Sequence, residues 1–329
     1  SEDLRGKPYD LDHSEIERRV HEAWARGATE VCMQGGIHPQ YTGDTYIQIL
    51  KTVKDAEPYM HIHAFSPLEV WQGAATMGLG LEEYLLLLKN AGLDTLPGTA
   101  GEVLDDEVRA IICPDKINTE EWFKVMRAAH KVGFKTTSTI MYGHVDKPIH
   151  WARHVRRLRD AQIETGGFTE FVPLPFVHME APLYLKGKAR QGPTFRESVL
   201  MHAVSRIVLG KYIPNIQTSW VKMGHTGVVA CLNAGANDLG GTLMNESITR
   251  AAGASYGQET SPELMIEMIA AAGRETRQRT TSYGEVPSER IKAGRNADML
   301  TDIINTPAPK YERSVRRVLK RSAVTVKGA

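Results

Sequence analysis

Seven short apolar or β-rich runs, each followed by an amphipathic helical stretch, limit the fold of this 329-residue sequence more than any other feature. Strand candidates begin near Glu30 (EVCMQG), His61 (HIHAFS), Thr95 (TLPGT), Thr136 (TTSTIMYG), Thr169 (TEFVPLPF), Asn215 (NIQTSWV) and Asn237 (NDLGGT). Successive starts differ by 31, 34, 41, 33, 46 and 22 residues. A strand plus a crossover helix needs about 30 residues, whereas a hairpin needs only a short turn, so the spacing selects parallel pairing. The class is α/β, either a (β/α) barrel or a doubly wound sheet. The polar and glycine-rich segments QGGIHP, SPLE, PGTAGE, YGHV, GHTG and LGGT recur at the C-terminal ends of the strand candidates. A barrel gathers all such ends on one face, and this favours the TIM-type barrel over a sheet with one switch point.

The intervening helices carry start and stop signals. Asp12 to Glu15 reads as a capping box before Ile16, Val20, Ala23 and Trp24, with Gly27 as terminator. Thr194 and Glu197 repeat the box, and Ser261-Pro262 sets a cap before a first-turn proline. Leu81–Ala91 is a further predicted helix, closed by Gly92.

Charge and composition narrow the function. Forty Lys and Arg against 39 Asp and Glu give a net charge of +1, without the basic excess of a nucleic-acid binder. No uncharged apolar run reaches the ~18 residues that would span a bilayer, and the charged N-terminus does not read as a secretory signal. Three single cysteines, Cys32, Cys113 and Cys231, make no disulfide framework. The expected compartment is the reducing cytoplasm.

Several residue groups invite chemistry. Gln34-Gly35-Gly36 follows the first strand candidate; it is either a tight turn or a place where backbone meets ligand, and it lacks the spacing of a dinucleotide or phosphate loop. His61 and His63, two apart on a strand, face the same side and suit a polar substrate. They also suit a metal if Glu69 or His144 supplies a third ligand. Glu102, Glu170, Asn237 and Asp238 lie near strand ends, where unpaired burial is costly, and suggest either loop caps or a polar ligand. Lys222, after Trp220, is a candidate partner for a carboxylate. The three cysteines read as buried thiols.

Taken together, GATEVCMQGGIHP, HIHAFSPLEV, GLDTLPGTAGEVLDDEVR, ICPDK, TTSTIMYGH, TGGFTEFVPLPF, NIQTSWVK and GANDLGGTLMNE resemble the tyrosine-using radical S-adenosylmethionine (SAM) component of deazaflavin synthase, from about Tyr9 to Tyr283. The resemblance implies a radical SAM barrel, a [4Fe–4S] cluster and a role in coenzyme F420 biosynthesis. In that family a 5′-deoxyadenosyl radical attacks L-tyrosine. The 4-hydroxybenzyl group passes to 5-amino-6-(D-ribitylamino)uracil, and the product goes to a second radical SAM component, fused upstream or separate. It implies cofactor contacts at Gln34, Gly35, Gly36, Ser66, Glu102 and Thr139, catalytic roles for His61, His63, His144 and Glu170, and substrate contacts at Trp220, Lys222, Asn237 and Asp238. No protein metal ligand is expected beyond the cluster's.

The family's cluster sits on a C-x3-C-x2-C loop after the first barrel strand, and none of the three cysteines here has that spacing. The resulting expectation is a barrel with seven of eight strands, missing the first strand and the cluster loop, and inactive on its own. Residues 1–284 are expected to form the barrel and 285–329 a C-terminal extension with a basic tail. Alternatives are a futalosine-pathway (menaquinone) radical SAM enzyme, a metal-dependent aldolase-type barrel using His61, His63 and Glu69, and a non-catalytic binding protein.

Overall fold

The computed structural model describes residues 9–244, 246, 248–257 and 259–304; the basic tail lies outside the described residues. The elements alternate as α1 (His13–Ala25), β1 (Glu30–Met33), α2 (Gly43–Ala56), β2 (His61–Ala64), α3 (Pro67–Met77), α4 (Leu81–Asn90), β3 (Thr95–Leu96), α5 (Asp106–Ile112), α6 (Thr119–Lys131), β4 (Lys135–Tyr142), α7 (Pro148–Thr165), β5 (Phe168–Pro175), α8 (Pro182–Leu185), α9 (Phe195–Leu209), β6 (Asn215–Ile216), α10 (Trp220–Asn233), α11 (Ile248–Ala251), α12 (Pro262–Ala271) and α13 (Ser288–Arg295). Sheet neighbours follow chain order from β1 to β6. The β1–β2, β2–β3, β3–β4 and β5–β6 pairs are parallel, with Cys32 opposite His63, His63 opposite Thr95 and Glu170 opposite Asn215. This is the sequential parallel order of a TIM-type β/α architecture.

The described residues hold six strands rather than the expected seven. The run at Asn237 contributes one parallel bridge, Gln217 to Asp238, with Thr218 N–H donating to the Asp238 carbonyl at 2.8 Å. The bridge stops there because Asp238 Oδ1 accepts the Gly240 N–H at 2.6 Å, and Gly240 has φ +75°, which turns the chain out of the sheet.

The chain divides into two compact units. Among the described residues, the first comprises Tyr9–Ala100, Asp115–Thr136 and 278–304. Its interior holds Leu50, Val53, Ile62, Leu85, Leu88, Leu96 and Trp122, all fully buried. At about 1.5–3 kcal/mol per buried large apolar side chain, this packing drives the unit's folding. Here α13 meets α1: Arg290 stacks 4.0 Å from the Trp24 ring centre and donates to the Trp24 carbonyl at 2.6 Å. Gly27 permits the approach, since a Cβ there would lie 2.3 Å from Gly294 N. The second unit comprises Gly101–Pro114 and Thr137–Arg277, with Phe171, Leu209, Ile213, Ile216, Val228 and Cys231 at its centre.

The caps follow the sequence. Asp12 accepts the Glu15 N–H at 2.8 Å. The Glu15 carboxylate does not return the bond; Arg18 and Arg19 claim it at 2.7–2.8 Å, and the Arg18 hydrogen bond chiefly holds its pKa down to about 2. Thr194 and Glu197 form the complete box, and Ser261 caps α12 ahead of Pro262.

Candidate functional site

In the first unit, β1 runs into Gln34-Gly35-Gly36, which are solvent-exposed. The two glycine N–H groups nevertheless point inward. Glu69 Oε1 accepts the Gly35 N–H at 2.8 Å and the Gly36 N–H at 3.0 Å. Glu69 Oε2 accepts the Ser66 N–H at 2.7 Å and the Ser66 hydroxyl at 2.6 Å. Glu69 can reach all four because Ser66 N-caps α3 and Glu69 is its third residue, a complete capping box. The carboxylate is 1% exposed; burial raises its pKa and the four donors oppose that rise. Tyr46, buried nearby, donates its hydroxyl to the Gly36 carbonyl at 3.3 Å, and burial, reinforced by Glu69, keeps that phenol protonated. Gly36 has φ +70° and nothing within 4 Å of a Cβ; at Gly35 a Cβ would meet only Glu69 Oε1 at 3.9 Å. Space for a ligand lies directly against this backbone. Gln34 turns its side-chain amide back to Cys32 Sγ at 3.5 Å.

His61 and His63 share a face of β2, as the period of a strand requires, and converge on one hydroxyl. Thr95 Oγ1 lies 2.8 Å from His61 Nε2 and 2.7 Å from His63 Nδ1. One hydroxyl can donate to one ring and accept from the other, so the three form a proton-sharing chain. Burial, with help from the Arg279 charge, pushes His63 down to about 4. Burial also lowers His61, against the pull of Asp94 and Glu30. Both rings are neutral near pH 7. The sequence reading overlooked Thr95, although its place at the start of the next strand candidate was visible.

The aldolase-type set does not assemble. Both Glu69 oxygens are engaged with the glycine turn and Ser66, and both histidines turn to Thr95. Among the described residues, the group that brings three potential ligand atoms together is Asp105, Glu107 and His150, and Arg153 contacts both carboxylates.

In the second unit, Glu102 has φ +37°, an unusual backbone for a non-glycine residue, and lies 3.5 Å from the buried Arg109 guanidinium. Its carbonyl accepts the Met141 N–H at 2.8 Å, which ties the loop to β4 beside Thr139. His154 completes this anchor by accepting the Leu104 N–H at 2.8 Å; burial depresses its pKa to about 3. Glu170, on β5 and 7% exposed, faces Gln217, whose amide nitrogen is 3.4 Å from each carboxylate oxygen. Gln217 was missed from sequence, yet it alternates with Asn215 in NIQTSWV. Gly240 allows this amide its place, for a Cβ there would meet Gln217 Oε1 at 2.8 Å.

Other predicted site residues are absorbed by the scaffold. His144 was expected to be catalytic, but its ring is consumed within its own turn: Nε2 binds the Met141 carbonyl at 2.9 Å, and Nδ1 meets Val145 N at 2.8 Å and Asp146 at 2.9 Å. Burial alone would raise Asp146, but His144 and the Gly143 N–H hold it well below the usual carboxylate range. Ser66 spends its hydroxyl on Glu69. Asn237 Oδ1 takes the Ile216 N–H at 2.8 Å and Arg206 at 2.7 Å. Asp238 closes the Gly240 turn. Trp220 packs into the α10 core and donates to the Gly241 carbonyl at 3.0 Å. Lys222, in the first turn of α10, is half-buried; burial pushes it down to about 8, while Glu246 opposes the shift.

The cysteines do not suit an iron–sulfur cluster. Cys32 is exposed on β1, Cys113 is buried at the end of α5, and Cys231 lies within α10, where burial raises its thiol to about 11. A cluster requires several thiolates converging at one place, and no two of these share a loop. The glycine turn, by contrast, suits SAM: exposed backbone with open room in front of Gly35 is what close approach of an amino-acid head group demands.

A model of the radical SAM superfamily matches residues 2–158, and a model of the CofH/MqnC C-terminal region matches residues 165–290. The chain is 52% identical over 290 residues to the FO synthase of Streptomyces avermitilis, covering 88% of this chain and 34% of that protein. It thus spans about a third of the length of such FO synthases. It is 50% identical over 278 residues to the 5-amino-6-(D-ribitylamino)uracil–L-tyrosine 4-hydroxyphenyl transferase of Methanopyrus kandleri, covering 84% of this chain and 75% of that one. Methylornithine synthase shares its fold, with a TM-score of 0.59 at 16% identity over 84% of this chain and 76% of that structure. With half of the aligned residues identical along three quarters of the Methanopyrus protein, this chain belongs to the radical SAM family of FO synthases and 5-amino-6-(D-ribitylamino)uracil–L-tyrosine 4-hydroxyphenyl transferases.

Proposed function

We propose that this chain serves coenzyme F420 biosynthesis, as the part of FO synthase that binds SAM and L-tyrosine for transfer of the 4-hydroxybenzyl group to 5-amino-6-(D-ribitylamino)uracil. The observation that carries this reading is the match to the Methanopyrus transferase, which holds over most of both chains. Given one electron from a cluster held outside this chain's cysteines, bound SAM would supply the carbon radical that opens the chemistry on tyrosine. In this reading the carbonyls of the Gln34–Gly36 turn receive its ammonium group; Glu102 and Thr139, in the other unit, are cofactor contacts by the resemblance of their sequence positions alone. Glu170, supported by Gln217, accepts hydrogen bonds from a polar substrate. The neutral His61–Thr95–His63 chain relays a proton without carrying charge at neutral pH. Lys222 pairs with a substrate carboxylate. The [4Fe–4S] cluster has no ligand set among this chain's three cysteines.

The same reading places the protein in the cytoplasm. The described residues contain no helix long and apolar enough to cross a membrane, and the balanced charge gives no purchase on nucleic acid. Its macromolecular partner is the second radical SAM component of FO synthase, fused or separate. The division proposed is a barrel over residues 1–284 and an extension over 285–329, of which residues 1–8 and 305–329 lie outside the described residues.

Calorimetric titration of the chain with L-tyrosine and with the aminouracil tests the proposal. Binding of both is expected. Preference for a futalosine-type nucleoside, or binding of neither, overturns it.

A further inference from the structure

The Gln34–Gly36 turn is exposed, yet a buried carboxylate on another element holds it. All its peptide bonds are trans. In a planar trans peptide the carbonyl of one residue points opposite to the N–H of the next. The Gly35 and Gly36 N–H groups both end on Glu69 Oε1. The Gln34 and Gly35 carbonyls therefore point away from Glu69, toward the exposed side of the turn. Without an acceptor beneath them these peptide units could rotate freely, because glycine imposes little preference of its own. A desolvated carboxylate with two donors on each oxygen is a strong anchor for that orientation.

We infer that Glu69 is the positioning residue of the cofactor turn: it draws two glycine amides inward and so presents two carbonyls outward to the ammonium group of SAM. Ser66 is its brace, holding Oε2 so that Oε1 faces the glycines. Tyr46 fixes the exit of the turn through the Gly36 carbonyl. The inference rests on the reading of Gln34–Gly36 as the cofactor turn, and its test separates the two.

Two readouts are needed. Hydrogen exchange of the Gly35 and Gly36 amides, followed in glycine-labelled protein, reports the clamp. Binding of SAM against methylthioadenosine, which keeps the nucleoside and lacks the amino-acid head, reports the function. Glu69→Gln keeps the side-chain shape but loses the charge, so the bonds to both glycines weaken even where its amide oxygen takes the place of Oε1. It should speed exchange at both glycines by roughly tenfold or more and weaken SAM by roughly ten- to hundredfold, with methylthioadenosine changed by less than about twofold. Glu69→Ala should do the same, and Ser66→Ala should do so to a smaller extent. Should Glu69→Ala fail to fold, Glu69→Gln decides. Unchanged glycine exchange overturns the clamp. Equal loss of both ligands also overturns it, since that is the behaviour of a general structural defect. Faster exchange with unchanged SAM affinity, or an unaltered chain that binds SAM no better than methylthioadenosine, overturns the cofactor reading of the turn while the exchange data still decide the clamp.

Discussion

The glycine turn of the first unit and the strand-end residues of the second use polar groups in opposite ways. At Gln34–Gly36 both glycine N–H groups are taken by Glu69, and the turn itself is solvent-exposed. In the second unit, His144 and Asn237 are spent on neighbouring backbone, and Trp220 is buried with its N–H bonded. Glu170 and Gln217, by contrast, face one another at a relaxed 3.4 Å. A polar residue near a strand end is therefore a weak sign of ligand contact. What separates the two regions is where each donor and acceptor is spent.

The largest effect expected concerns the missing thiolates. Incubated anaerobically with SAM and dithionite, the chain should release no 5′-deoxyadenosine above the protein-free rate, because Cys32, Cys113 and Cys231 lack the C-x3-C-x2-C spacing of a cluster loop. Chromatographic detection of the nucleoside checks this, and sustained release would show that these cysteines do support a cluster.

Next in size is Gly35→Val. The added side chain enters open space, so the melting temperature should hold while SAM affinity falls by roughly tenfold or more. A matched fall in tyrosine affinity would erase the distinction between the turn and the rest of the site.

Asn237→Ala should do the reverse in the second unit. It orphans the Ile216 N–H and removes an Arg206 contact, costing about 1–2 kcal/mol in denaturant unfolding with ligand affinities unchanged. Loss of substrate binding without loss of stability would return Asn237 to the site.

The smallest effect is in pH dependence. Burial holds His63 at about 4, below its ordinary 6.5. The unfolded chain therefore takes up this proton before the folded one, and stability falls as pH drops from about 6.5 toward 4. His63→Gln should flatten that part of the stability profile and leave it unchanged above pH 7. An identical acid limb in the variant would assign the sensitivity to other histidines whose pKa burial lowers, such as half-buried His130 and buried His154.

Much of the architecture is legible without coordinates. The strand candidates at Glu30, His61, Thr95, Thr136, Thr169 and Asn215 fall within a residue of β1 to β6. The caps at Asp12, Thr194 and Ser261 stand where short polar side chains precede apolar helical periods. These features are local: a cap or an alternation depends on residues within one turn or one strand. The family, too, is written in ordered sequence blocks. Less legible were strand lengths, since Thr95–Leu96 and Asn215–Ile216 pair over only two residues and the run at Asn237 over one. A ladder ends where the neighbouring strand turns away, which no run reveals by itself.

The amino-acid order alone thus determined the parallel α/β class, the caps of α1, α9 and α12, the place of the glycine turn after β1 and the lack of a cluster-binding cysteine loop. Tertiary structure decided which polar residues remain available to a ligand. Glu69 lies 34 residues from Gly35, and only folding brings its carboxylate beneath the turn. Thr95 lies 32 residues from His63 and joins the two rings only through strand register. His144 carries the same imidazole as His63, but its turn consumes both nitrogens. Hydrogen bonds form between groups adjacent in space, and each lone pair or proton spent on the scaffold is withdrawn from chemistry; that allocation exists only once the chain has folded.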